Sequence, residues 1–258
     1  MKLYFKYMAM LLKSQMQYKA SFLMTALGQF LVSFTAFFGV YFMFDRFHSV
    51  DGFTFSQILI CFSITLMAYS ITECFARGFD LFPRLIQSGN LDRILVRPRG
   101  EIFQVLTANM EFSRVGRLIQ AIWMLVIAVS ASEIQWTVDK IRTVVMMLIG
   151  GVAVFAALFV LYAGISFFTI EGLEFMNIFT NGSLEFGKYP VSIYGEGILK
   201  FYTYVIPIAL FQYYPFLYLI GRSEDVRLIF LPLLGFLFLI LCYLFFRFGL
   251  RRYKSTGS

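Results

Sequence analysis

The chain has 258 residues, of which 59% are hydrophobic and only 14% charged, against roughly 45–50% and about 25% in an ordinary soluble domain. Its 22 basic and 15 acidic residues fall in clusters between long uncharged runs, which excludes a water-soluble fold and indicates a chain dissolved in lipid. The net charge of +7 does not read as nucleic-acid binding, because no segment is both basic and long enough to fold as a solvated module, and three cysteines with a single His offer neither a disulfide framework nor a zinc site.

Residues 1–19 gather Lys2, Lys6, Lys13 and Gln17 on one helical face, with Leu3, Tyr7, Met8, Leu11 and Leu12 elsewhere. This pattern predicts an amphipathic helix lying in the membrane interface. Nothing charged occurs over 20–44, a run of 25 residues that covers about 37 Å as a helix, more than the roughly 30 Å of hydrocarbon. It is the first predicted span and reads as a retained anchor. The second span is placed at 53–76, with Glu73 and Arg77 four residues apart at its end, a spacing that allows an ion pair.

The stretch 82–98, FPRLIQSGNLDRILVRP, mixes helix with hard stops. Pro83 suits a helix start, Gly89 and Asn90 a break, and Pro98 an end, while Leu91, Ile94 and Leu95 form an apolar ridge flanked by Asp92, Arg93 and Arg97. Such a peg can enter a groove on a second protein or can cover the ends of neighbouring spans, and composition leaves both open.

The third span is the weak one, because only 15 uncharged residues separate Arg117 from Glu133. It is therefore extended back to give a helix over 101–132 that carries Glu111, Arg114 and Arg117 on one flank, where they can pair or snorkel. The fourth span is placed at 143–170, with Gly150, Ala153, Ala157 and Gly164 as close-packing positions. The loop 171–200 follows, with Glu171, Glu174, Glu185, Glu196, Lys188 and Lys200 among several glycines, and reads as folded but irregular.

Within that loop GSLEFGKY, from Gly182 to Tyr189, falls one residue short of a phosphate loop, with Tyr where a small hydroxyl must meet magnesium. No strand precedes it and no room exists for an ATPase domain, so the chain is expected to lack a nucleotide site. The fifth span is placed at 201–221 and the sixth at 228–247. Tyr204, Pro207, Gln212, Tyr213, Tyr214 and Pro215 in the fifth are read either as lining a translocation path or as aromatic packing and interface anchoring.

The expectation is an all-α polytopic membrane protein with six transmembrane helices, preceded by the interfacial helix. Seventeen of the 22 Lys and Arg, those of residues 188 and 200 included, fall on the side that holds both termini, which makes that side cytoplasmic. A membrane-embedded enzyme is disfavoured, since no HExxH, Ser–His pair or paired aspartates are present. An ion-coupled secondary transporter or channel is the remaining rival. It requires ionisable groups within the membrane, whereas the charges here are read at span ends.

The string SGNLDRILVRP resembles the coupling segment between the second and third spans of permease subunits in type-2 ATP-binding-cassette exporters, in which G-x-L-D-x-x-L-x-R-P recurs. The matching positions are Gly89, Leu91, Asp92, Leu95, Arg97 and Pro98. VIPIALFQYYP at 205–215 resembles the Pro-rich fifth span of one bacterial subgroup, and the likeness covers nearly the whole length. The resemblance implies a multi-pass permease of the bacterial inner membrane in which 82–98 is a cytoplasmic coupling helix. It also implies a second permease, the same chain or a paralogue, and a separate cytoplasmic ATPase dimer that holds ATP and Mg, with no cofactor in this chain.

Overall fold

The computed structural model describes residues 2–169 and 174–254, which form helices joined by turns, apart from one isolated bridge between Val50 and Phe53. The amphipathic stretch forms α1 (Lys2–Gln15), and a 3-10 turn at Met16–Tyr18 leads into α2 (Lys19–Phe47). His48, at a φ of 61°, ends α2. Thr54 then starts α3 (Phe55–Asp80) with a capping box, its hydroxyl accepting from the Gln57 N–H at 3.4 Å while Gln57 Oε1 accepts from the Thr54 N–H at 3.1 Å.

The central column is α3, with Ile58 to Leu66 buried on every side. Three of its buried hydroxyls, those of Ser63, Thr65 and Thr72, are accommodated by donating back to a carbonyl of the preceding turn. α8 (Val138–Ile165), capped by Thr137, packs beside it, with Phe155 and Phe159 edge-on to Tyr69. The last span begins as a 3-10 segment at Val226–Leu233 and continues as α13 (Leu234–Arg252). Gly150 of α8 abuts Pro232, and Gly164 abuts Phe245, so these two positions are close-packing sites.

Among the described residues, five stretches are long and apolar enough to cross a membrane: Leu3–Phe47, Phe55–Gln87, Phe112–Ser130, Val138–Ile165 and Val226–Arg252. Both terminal segments lie at the end of the bundle where α3 finishes: Gln15 reaches Met110, and Tyr253 packs against Phe167. This end is called the basic end below.

The structure departs from the sequence reading in three places. The stretch 101–132 is not one helix. α6 (Glu101–Ala108) stops at Asn109, whose backbone is extended, and after a 3-10 turn at Phe112–Arg114 the chain resumes as α7 (Val115–Ser130). The extension back to Glu101 was required only if Arg114 and Arg117 had to stay outside the membrane. Buried partners allow both to sit inside the third span.

The second departure is 171–200, of which 171–173 lie outside the described residues, Glu171 among them. Instead of an irregular loop it holds α9 (Glu174–Phe186), a 3-10 turn at Val191–Tyr194 and the start of α10 (Glu196–Tyr204). Residues 182–186 of the phosphate-loop look-alike are helical. α9 climbs beside α3: Tyr69 Oη donates to Asn181 Oδ1 at 2.6 Å, Gly187 abuts Thr65, and Lys188 Nζ lies 5.9 Å from the Phe62 ring centroid. Thr65 is about 15 Å from the start of α3 and about 22 Å from its end, so the chain at 187–188 has entered the depth of the hydrocarbon. Lys188 and Lys200 therefore leave the loop to which their charges were assigned, and the basic side keeps fifteen of the 22 Lys and Arg.

The third departure follows. Residues 201–221 are not a continuous span but the end of α10, then α11 (Ile208–Gln212) and α12 (Tyr214–Leu219), with Pro207 at the first break and Pro215 opening α12. α10 doubles back along α9, as Phe186 meets Tyr194 at 4.8 Å and Tyr202 at 5.4 Å, while Phe201 reaches Phe179 at 6.4 Å. α11 and α12 then leave toward the opposite end, with Phe211 against Phe155 and Phe216 against Phe53. Gln212 holds this double reversal together. Its amide donates to the Gly187 and Tyr189 carbonyls at 3.2 and 2.6 Å and accepts from the Val191 N–H at 3.3 Å, satisfying backbone groups that lipid cannot.

Candidate functional site

Two sets of residues singled out by the sequence converge at the basic end. The first is an ion cluster. Glu73 faces into the bundle from α3 with its side chain 4% exposed, and three guanidinium groups surround it: Arg117 at 2.7 Å, Arg77 at 3.3 Å and Arg114 at 3.6 Å. Glu111, in the break between α6 and α7, accepts from Arg114 at 3.1 Å and lies 3.3 Å from Arg77, which also holds Asp80 at 2.5 Å. Gln29 of α2 completes the set, its Oε1 accepting from Arg114 at 2.7 Å and Arg117 at 2.6 Å.

Three cations and three carboxylates thus balance. Charged groups removed from water cost several kcal/mol each unless they are paired and hydrogen-bonded, and here each guanidinium reaches at least one carboxylate. The spacing of the sequence allowed two separate pairs, Glu73–Arg77 and Glu111 with Arg114 or Arg117. The fold fuses them into one network across α2, α3 and the α6–α7 break. Gln29 and Asp80 were missed. Gln29 is an amide within the first uncharged run, and an amide at that depth needs a partner. Asp80 follows Arg77 by three and Glu73 by seven, on the same helical face.

The break itself is clasped from α1. Gln15 donates to the Met110 carbonyl and accepts from the Phe112 N–H at 3.1 Å, while the Glu111 N–H goes to the Cys74 carbonyl at 3.2 Å. Replacing Gln15 by Ala should destabilise the protein by about 1–3 kcal/mol by leaving two part-buried backbone groups unpaired. The check is the unfolding midpoint in detergent, and a midpoint equal to wild type would contradict the clasp.

The second set is the segment after α3. It forms α4 (Phe82–Gln87) and α5 (Asn90–Leu95), separated by Gly89 at a φ of +67°, a left-handed conformation that favours glycine. The ridge does not project as a unit. Leu91 and Ile94 turn inward, Leu91 packing with Phe79, Phe82 and Ile86, because the short helix must bury one face on its own bundle. What projects is Arg93, Leu95, Val96, Arg97, Pro98 and Arg99, with Val96 83% exposed. Asp92 is half-buried. Gln104 of α6 donates to the Ile94 and Arg99 carbonyls at 3.0 and 2.8 Å, so the projecting tip and α6 are tied together.

The residues read as lining a path or as aromatic packing are spread from α10 to α12. Tyr204 is 84% exposed at the end of α10, Pro207 and Pro215 are buried, and Gln212 is fully buried at the end of α11. Tyr213 meets Tyr214, whose hydroxyl lies 3.3 Å from Thr203 Oγ1. The model of one family, described as ABC-2 family transporter protein, matches residues 30–257. No curated protein and no solved structure matches the chain.

Proposed function

The chain belongs to the ABC-2 family of transporter proteins, and from that premise we propose that this multi-pass permease is the membrane part of an ATP-driven exporter. It pairs with a second permease and takes its force from separate cytoplasmic ATPase subunits, which bind ATP and Mg. The observation that carries this reading is the tip at Arg93–Arg99, exposed on one side and locked to the core and to α6 on the other. An apolar pair, Leu95 and Val96, between arginines suits a groove on a soluble partner, with contact area from the former and orientation from the latter. The predominance of Lys and Arg at this end supports reading it, and both termini, as cytoplasmic, in a protein of the bacterial inner membrane.

The test separates docking from folding. Leu95→Asp with Val96→Asp should reduce co-purification of the ATPase and ATP-dependent transport about tenfold or more, while the unfolding midpoint of the permease stays within about 0.5 kcal/mol of wild type. Unchanged capture of an ATPase by this double variant would remove the docking role. Transport that persists without ATP and collapses with an ion gradient would instead support an ion-coupled carrier.

A further inference from the structure

Two adjoining clefts of about 410 and 480 Å³ open between α2 and α9 and share Ala36, Glu185 and Lys188. They lie at the depth of Phe62 and Thr65, inside the span of α3. Three charged groups face them. Arg117, at the deeper end, is already held by Glu73 and Gln29. Lys188 bonds to Glu185 and lies over the Phe62 ring, with its side chain only 17% exposed. Glu185 is 63% exposed and keeps a carboxylate oxygen outside that pair. The most exposed charged group lining the clefts is therefore the Glu185 carboxylate. The rings of Phe186, Tyr189 and Tyr194 line the same cleft, Tyr189 donating across it to Met43 Sδ at 3.8 Å.

An ionisable pair at membrane depth is costly and is kept where it meets a ligand or a water-filled path. An open carboxylate among aromatic faces suits a cation on an apolar body, because the carboxylate pairs with the charge and the rings add cation–π attraction. We propose that the cleft between α2 and α9 binds an amphipathic organic cation, its charge against Glu185 and its apolar part against Phe186, Tyr189 and Tyr194. That such a ligand is cargo rests on the permease reading; that the cleft binds it does not.

The probe is radiolabelled tetraphenylphosphonium, with tetraphenylborate as an ion of the same shape and opposite charge. Both are titrated against the full chain in lipid nanodiscs, with empty nanodiscs subtracted. The expected result is saturable binding of the phosphonium and none of the borate. Glu185→Gln should weaken the phosphonium about tenfold, and Glu185→Asp should recover part of it. Ala36→Trp, which fills the cleft from α2 without changing a charge, should abolish binding and serves if Glu185→Gln does not fold. Equal retention of both ions, no phosphonium binding to wild type, or unchanged affinity in the folded variants would overturn the proposal. Loss of ATPase capture alongside Glu185-dependent binding would overturn the permease reading and leave the site standing.

Discussion

Replacing Glu73 by Gln should cost about 3–5 kcal/mol of stability, the range for removing one partner of a buried ion network. The amide fills the same space, so the loss is one of charge. Arg77 and Arg114 would be left with Glu111 and Asp80, and Arg117, which among the described residues pairs with no carboxylate but Glu73, would be left with Gln29. The expected readout is a marked fall in the unfolding midpoint and in the amount of chain that accumulates in the membrane. Removing Arg117 at the same time, as Glu73→Gln with Arg117→Met, restores neutrality and should recover about 0.5–3 kcal/mol of that loss. A single variant as stable as wild type would show that the cluster is solvated rather than buried.

The second large effect is expected at Gly116. A Cβ there would lie 1.9 Å from the Ala26 carbonyl oxygen and 2.8 Å from its carbon, both backbone atoms, so no rotamer can relieve the clash. Gly116→Ala must therefore push α7 from α2 and draw Gln29 away from Arg114 and Arg117, at a cost of about 1–3 kcal/mol or more. Gly28→Ala, two residues from Ala26 on α2, is the matched control. Its added Cβ meets nothing, and the change should be neutral or stabilise by up to about 1 kcal/mol through helix propensity. Equal midpoints for the two variants would contradict the contact. Because α2 meets α3 mainly near its far end, where Phe37 and Phe44 reach Phe55, the contact at Gly116 does much to fix its basic half.

Those residues also mark how far the sequence could be read. α2, α3 and α8 were legible because an uncharged run longer than the hydrocarbon has few alternatives, and Gly150 and Gly164 because small residues in such a run signal close packing. The positions of the breaks around α4 and α5 were legible from Gly89 and the prolines. The inward turn of Leu91 was not, since an apolar ridge on a short helix fits its own bundle as well as a partner. The break at Asn109–Glu111 was hidden for a different reason. It is stabilised by Gln15, 97 positions from its partner Phe112, and nothing local in NMEF predicts a stop. The double reversal over 174–219 was masked by its charges. Glu185 and Lys188 looked like loop residues, and the bonds between Gln212 and Gly187, Tyr189 and Val191, which help that backbone lie inside a membrane, join positions more than twenty residues apart.

The interruption between α6 and α7 carries a mechanical consequence. α6 is fastened to the tip at Arg93–Arg99 by Gln104, and α7 is fastened to α2 at Gly116, while Glu111 sits between them holding Arg77 of α3 and Arg114 of the adjoining turn. A shove on the tip would then pivot α6 like a crank on a pin instead of sliding a straight rod across the bilayer. The first bearings to feel it would be Gln15 and Gln29, on the two helices that precede every other part of the bundle, so motion at the basic end would reach the flank of the α2 cleft through a swivel only a few residues long.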